Sequence, residues 1–232
     1  MRRSRKQKKD KSSRTLVSHI NKKSPISEQY RSVRTNIQFS AVDEDLQTIV
    51  VTSAGPGEGK SITSANVGVV FAQQEKKVLL VDTDLRKPTV HYTFRVENIS
   101  GLTNYLIGDQ SFEHIITETK VPNMDVITCG PIPPNPSEIL SSKRMEQFIQ
   151  TAKEHYDLII FDTPPVLAVT DSTIVSNLCD GVLLVIRSKK TEFEAAQKAK
   201  DQLEHVNAKM LGVVLNDREQ KESNYYYYYG NR

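Results

Sequence analysis

No apolar run in the 232 residues approaches the roughly 20 needed to cross a bilayer as a helix. Nothing reads as a secretory signal either, because no apolar stretch follows the basic N-terminus. Cysteine is scarce: Cys129 and Cys179 stand alone, without metal or redox spacing, and read as reduced thiols in a cytosolic protein. Hydrophobic residues make up 38% of the chain, enough for a core but not rich. The length suits one α/β domain with tails, or at most two small domains.

Acidic charge is nearly missing from the first 23 residues. They hold ten Lys or Arg against the single Asp10, a local +9 that leaves −6 for the rest of a chain totalling +3. Such an arm is a solvated tail, a contact for an anionic membrane at about 1 kcal/mol per basic residue, or a nucleic-acid contact. No recognition motif accompanies the charge, so no nucleic-acid partner is expected.

What is present is alternation. Ile26, Tyr30, Val33 and Ile37 form one apolar stripe and predict a helix over 25–41, with Glu28 and Arg31 nearly opposite the stripe and Arg34 on its flank. Strand-like runs follow at 48–53, 77–82, 124–129, 157–162, 181–186 and 209–216, most of them continuous Val, Ile and Leu. Continuous runs suit strands buried on both faces. Helical patterns at 60–74, 136–155, 170–178 and 191–206 separate them. The expected fold is α/β: a mostly parallel sheet, P-loop NTPase-like, with helices on both faces.

Directly after the first strand comes Ser53-Ala54-Gly55-Pro56-Gly57-Glu58-Gly59-Lys60-Ser61. Strand, glycine-rich turn and helix start make a phosphate cradle of backbone N–H groups aided by the helix dipole. Lys60 would reach the β- and γ-phosphates, and the Ser61 hydroxyl would bind Mg²⁺. Ala54 replaces the usual first glycine and still fits a tight turn. Two further candidates end strands. Asp82 and Asp84 point to one side of their strand, with Arg86 just beyond. Such a pair can hold Mg²⁺, take a proton, or merely cap a loop. Asp162, after four apolar residues, has the Walker B pattern.

These motifs resemble the deviant Walker A ATPases, and more closely the bacterial tyrosine kinases that govern capsule and exopolysaccharide production. The resemblance spans essentially the whole chain. It rests on the phosphate loop at 54–61, the Walker A′ motif at 82–86, Asp162, Glu28-x-x-Arg31-x-x-Arg34 and the terminal block Tyr225, Tyr226, Tyr227, Tyr228 and Tyr229. It implies ATP and Mg²⁺, with Gly55, Gly57, Glu58, Gly59, Lys60, Ser61 and Ile62 at the nucleotide and Ser61, Asp84 and Asp162 around the metal. Asp82 would accept the tyrosine proton. Arg86 would steady phosphate or an interface, and Asn216, ending the last strand, would contact adenine. Glu28, Arg31 and Arg34 would join subunits in a ring. A separate membrane-spanning activator would recruit the cytoplasmic kinase to the inner face of the membrane.

Septum-site and partition ATPases carry a second lysine five residues before the loop lysine. That position here is Gly55, which leaves a partition or positioning ATPase switch as the alternative. The expected layout is a flexible arm over 1–24, a kinase domain over 25–217 and a flexible tail over 218–232. From Asn216 to the tyrosines the chain spans roughly 30–45 Å at about 3.3 Å per residue, enough to reach a neighbour's site.

Overall fold

Each β-branched run becomes a strand whose alternate residues face opposite sides, and both sides are covered. The computed structural model describes residues 15–40 and 45–219. The chain order is α1 (Val17–Ile20), α2 (Pro25–Ser40), β1 (Thr48–Ser53), α3 (Lys60–Ala72), β2 (Val78–Asp82), α4 (Val90–Phe94), α5 (Leu102–Ile107), α6 (Phe112–Ile115), β3 (Thr117–Glu118), β4 (Met124–Ile127), α7 (Pro136–Leu140), α8 (Lys143–His155), β5 (Leu158–Asp162), α9 (Asp171–Ser176), β6 (Gly181–Arg187), α10 (Phe193–His205) and β7 (Met210–Asn216). The sheet order is β3-β4-β2-β5-β1-β6-β7. Every pairing is parallel except β3 with β4.

Along β1, Val50 joins one core cluster while Ile49 and Val51 join the other. The first cluster packs β2, β4 and β5 against α8, whose Met145, Phe148, Ile149 and Ala152 are buried at helical spacing. Phe148 is fully buried against Tyr105, Phe112 and Phe161, a burial that contributes about 1.5–3 kcal/mol. The second cluster packs α3 and Ile37 of α2 on the opposite face. No helix among the described residues is long and apolar enough to cross a membrane.

All six expected strands form. Three expectations change. The helix expected over 136–155 is two, because Ser142 is extended (φ −77°, ψ 155°) and starts α8, while its hydroxyl donates to Ile139 O at 2.7 Å. Residues 83–123, unassigned from sequence, hold three short helices and a two-residue edge strand, too short to show periodicity. The arm expected to be flexible through residue 24 is docked from residue 15: Ser18 N donates to Asn66 Oδ1 at 3.0 Å, and Gln73 Nε2 donates to Ser18 O at 2.8 Å. Residues 1–14 and the tyrosine block lie outside the described residues.

Candidate active site

Strands β2, β5 and β1 are neighbours, and their carboxyl ends deliver the candidate residues to one place. Asp82 and Asp162 are direct register partners, about 4.8 Å apart across the sheet. Lys60 opens α3 at the end of the β1 connection. Its Nζ lies 3.2 Å from Asp84 Oδ2, 3.4 Å from Asp162 Oδ1 and 3.2 Å from Ser61 Oγ.

The turn before α3 depends on glycine. Gly57 and Gly59 have φ of +77° and +94°, where other residues are strained. A Cβ on Gly59 would also lie 2.1 Å from Asn216 Nδ2. The loop therefore turns tightly into the N-terminus of a 13-residue helix, the arrangement that holds phosphate.

The electrostatics follow from burial. Lys60 is nearly enclosed, at 11% side-chain exposure. Burial alone would lower its pKa, but Asp162, Asp84 and Asp82 overcome this and raise it. Asp82 is fully buried. Burial and the Asp162 charge push its carboxyl up to about 7, against the N–H groups of Val90 and Thr89 and the ammonium of Lys60. Those N–H groups donate to Asp82 Oδ2 at 2.9 and 2.8 Å, and Asp84 N donates to Oδ1 at 3.2 Å. Burial likewise raises the Asp162 pKa, opposed first by Lys60. Asp162 Oδ2 is buried without a hydrogen-bond partner among the described residues. An orphaned carboxylate oxygen beside Asp84 and the Ser61 hydroxyl fits a hard divalent cation. No cluster of three or more His, Cys, Asp or Glu among the described residues is arranged to hold a metal by itself. Phosphate and water would complete such a shell, as Mg²⁺ prefers.

Residues 46–212 match the AAA domain family. A tyrosine-protein kinase of Bacillus subtilis (strain 168), YwqD, is 50% identical over 94% of this chain and 92% of its own length. The chain belongs to the bacterial tyrosine-protein kinases. The solved kinase domain of the Escherichia coli tyrosine kinase ETK superposes with a TM-score of 0.86 at 35% identity, over 90% of this chain and 82% of that one. The chimerical protein CapA2B2 gives 0.86 at 42% identity, over 90% and 91%. Membership of this family sets aside the positioning-ATPase alternative.

Several expected residues have partners within the chain. The Glu58 carboxylate is taken up within the loop. It accepts from Gly55 N at 3.0 Å and from the Thr191 hydroxyl, closing the loop on itself. The Asn216 amide nitrogen donates to Glu58 O at 2.9 Å. Ile62 is half-buried, its carbonyl accepting from Asn66 Nδ2 at 2.9 Å. Arg34 turns inward, its Nη1 donating to Val70 O of α3 at 2.7 Å. Glu28 and Arg31 pair with each other at the surface of α2.

Other residues around the site were not singled out from sequence. Ser64 Oγ lies 3.1 Å from Asp162 Oδ1 and 2.9 Å from Lys60 O. Thr83 donates both its N–H and its hydroxyl to Asp162 O, each at 2.9 Å. Arg187 pairs with Asp217 and reaches Gly57 O at 3.4 Å, strapping the end of β7 to the phosphate loop.

Proposed function

We propose that this kinase transfers the γ-phosphoryl of Mg·ATP to Tyr225–Tyr229 of a neighbouring copy, and that it regulates capsular or exopolysaccharide synthesis. The observation that carries the reading is Lys60 Nζ held between Asp84 and Asp162 at the mouth of α3. The loop N–H groups and Lys60 bind and orient the phosphates and absorb charge as the phosphoryl moves. Ser61, Asp84 and Asp162 would hold Mg²⁺, which neutralises phosphate charge when bound. Asn216 Oδ1 is left to meet adenine.

In the transfer, the tyrosine oxygen forms the new bond to phosphorus and the bond to the ADP oxygen breaks. Asp82 takes the phenolic proton. Its oxygens are covered, so the 83–90 connection must open for that step. The subunits assemble as a ring through the Glu28, Arg31 and Arg34 face of α2, with Arg34 also bonded to Val70 O of α3. A separate membrane-spanning activator recruits the kinase to the inner face of the membrane. Incubation with ATP followed by mass spectrometry of the C-terminal peptide tests the transfer. Phosphate is expected on the tyrosines, and an unmodified peptide with ATP hydrolysed would sink the reading.

The base assignment has its own signature. A carboxyl at about 7 must lose its proton before it can accept one, so kcat/KM should rise with pH through about 7. Asp82→Asn should remove most of the rate and abolish that limb. A limb that persists in Asp82→Asn moves the base role to Asp84.

A further inference from the structure

We propose that Asp171 is a positioning residue: through Arg86 it holds the connection that carries Asp84 in register with the rest of the site. The inference rests on the Mg·ATP reading above and adds a residue to it. Asp171 is the first residue of α9 and is fully buried. An ionised carboxylate is buried only when it is paired and hydrogen-bonded. Asp171 is both. Arg86 Nε donates to its Oδ2 at 2.8 Å and Arg86 Nη2 to its Oδ1 at 3.1 Å. Ser137 Oγ donates to the same Oδ1 at 2.7 Å and accepts from Arg86 Nη2 at 3.1 Å. The three side chains close a triangle.

The triangle's location gives it its role. Arg86 lies on the connection after β2, Ser137 in α7 after β4, and Asp171 in α9 after β5. Strands β4, β2 and β5 are adjacent in the sheet. The triangle therefore ties together the carboxyl-end connections of three neighbouring strands. Arg86 is two residues past Asp84, whose Oδ1 accepts from Lys87 N at 3.0 Å while Oδ2 meets Lys60. Two of the three guanidinium nitrogens are committed to Asp171 and Ser137. Arg86 is accordingly an anchor rather than a phosphate ligand. A bidentate Arg–carboxylate fork fixes direction as well as distance, which a single hydrogen bond at this loop would not do.

The test exploits an asymmetry in the pair. Arg86 is 40% exposed and Asp171 is not exposed at all. Asp171→Ala leaves an arginine that water can solvate, whereas Arg86→Ala leaves a buried carboxylate unpaired. Calorimetric titration of the full chain with ADP, with and without Mg²⁺, reads the site without turnover. Asp171→Ala should lose about 10-fold of the Mg²⁺-dependent gain in affinity, the low end of the cost of removing a direct partner of a metal ligand, because Asp171 acts on Asp84 through Arg86. Its ADP affinity without Mg²⁺ should stay at the wild-type value. Asp171→Asn, which keeps the shape, should lose less. The Arg86→Ala/Asp171→Ala double variant should lose no more than Asp171→Ala and should melt above Arg86→Ala, since the two side chains act as one unit. Equal loss of affinity with and without Mg²⁺, or additive losses in the double variant, would overturn the inference. Wild-type protein that binds no Mg·ADP would overturn the nucleotide reading and this inference together.

Discussion

Lys60→Met is expected to lower phosphate incorporation into the C-terminal peptide by about 10²–10³-fold or more, since it removes a preorganised charge from the moving phosphoryl group. Sequence reasoning places Lys60 at a solvent-facing ligand site, with a fold indifferent to its loss. The nearly enclosed ammonium among Asp82, Asp84 and Asp162 changes that expectation. Methionine fills the volume but leaves the carboxylates facing one another. The folded-state pKa values of Asp82 and Asp162, already raised by burial, then rise further above the unfolded values near 3.9. A carboxyl raised in the folded state stabilises the fold below its unfolded pKa, and that stability is lost as pH rises through the folded pKa. For Asp82 in the wild type that window already runs from 3.8 to about 7. The thermal stability gap between Lys60→Met and wild type should therefore widen from pH 5 to pH 8. An equal gap at both would place Lys60 outside the carboxylate group. Mixed with an active chain lacking residues 225–229, the Lys60→Met chain should still acquire phosphate on its own tail. A tail left bare in that mixture would favour transfer within one chain.

Asp162→Asn should move activity and stability in opposite directions. Burial raises the Asp162 pKa, so the ionised form opposes folding at neutral pH. A neutral isostere removes that opposition and keeps the backbone carbonyl that holds Thr83. The nucleotide-free variant should melt at or above the wild type. It should also lose about 10²–10³-fold in transfer, because a negative ligand is gone from the charge-neutralising group. Differential scanning calorimetry and phosphate incorporation on the same preparation measure both. A variant that is active, or inactive only because it is unfolded, would remove Asp162 from the role assigned here.

How far these sites were legible from sequence depends on how local their cause is. The strands were legible because burial on both faces demands unbroken aliphatic runs such as Ile49-Val50-Val51 and Leu158-Ile159-Ile160. Asp82 and Asp162 were legible because an acid ending such a run has few other uses. The phosphate loop was legible because its positive-φ turns need Gly57 and Gly59. Asp171, Ser64 and Thr191 were not. Their partners lie 85, 98 and 133 residues away in the chain, and no spacing rule reaches that far. Arg34 shows the same limit: helical periodicity places it on the flank of α2, and its bond to the Val70 carbonyl, 36 residues away, carries no local signal.

Helix α3 runs from the phosphate loop to contacts with α2 and α1. At about 1.5 Å per residue, its 13 residues form a rod of about 20 Å. Every residue from Thr63 to Ala72 is buried. Its rear half carries the Val70 carbonyl gripped by Arg34 of α2, and Gln73 just beyond it grips Ser18 of α1. The phosphate loop and the N-terminal segment are thus joined through one buried helix, with Lys60 in its first turn and the partners of Arg34 and Ser18 at its far end.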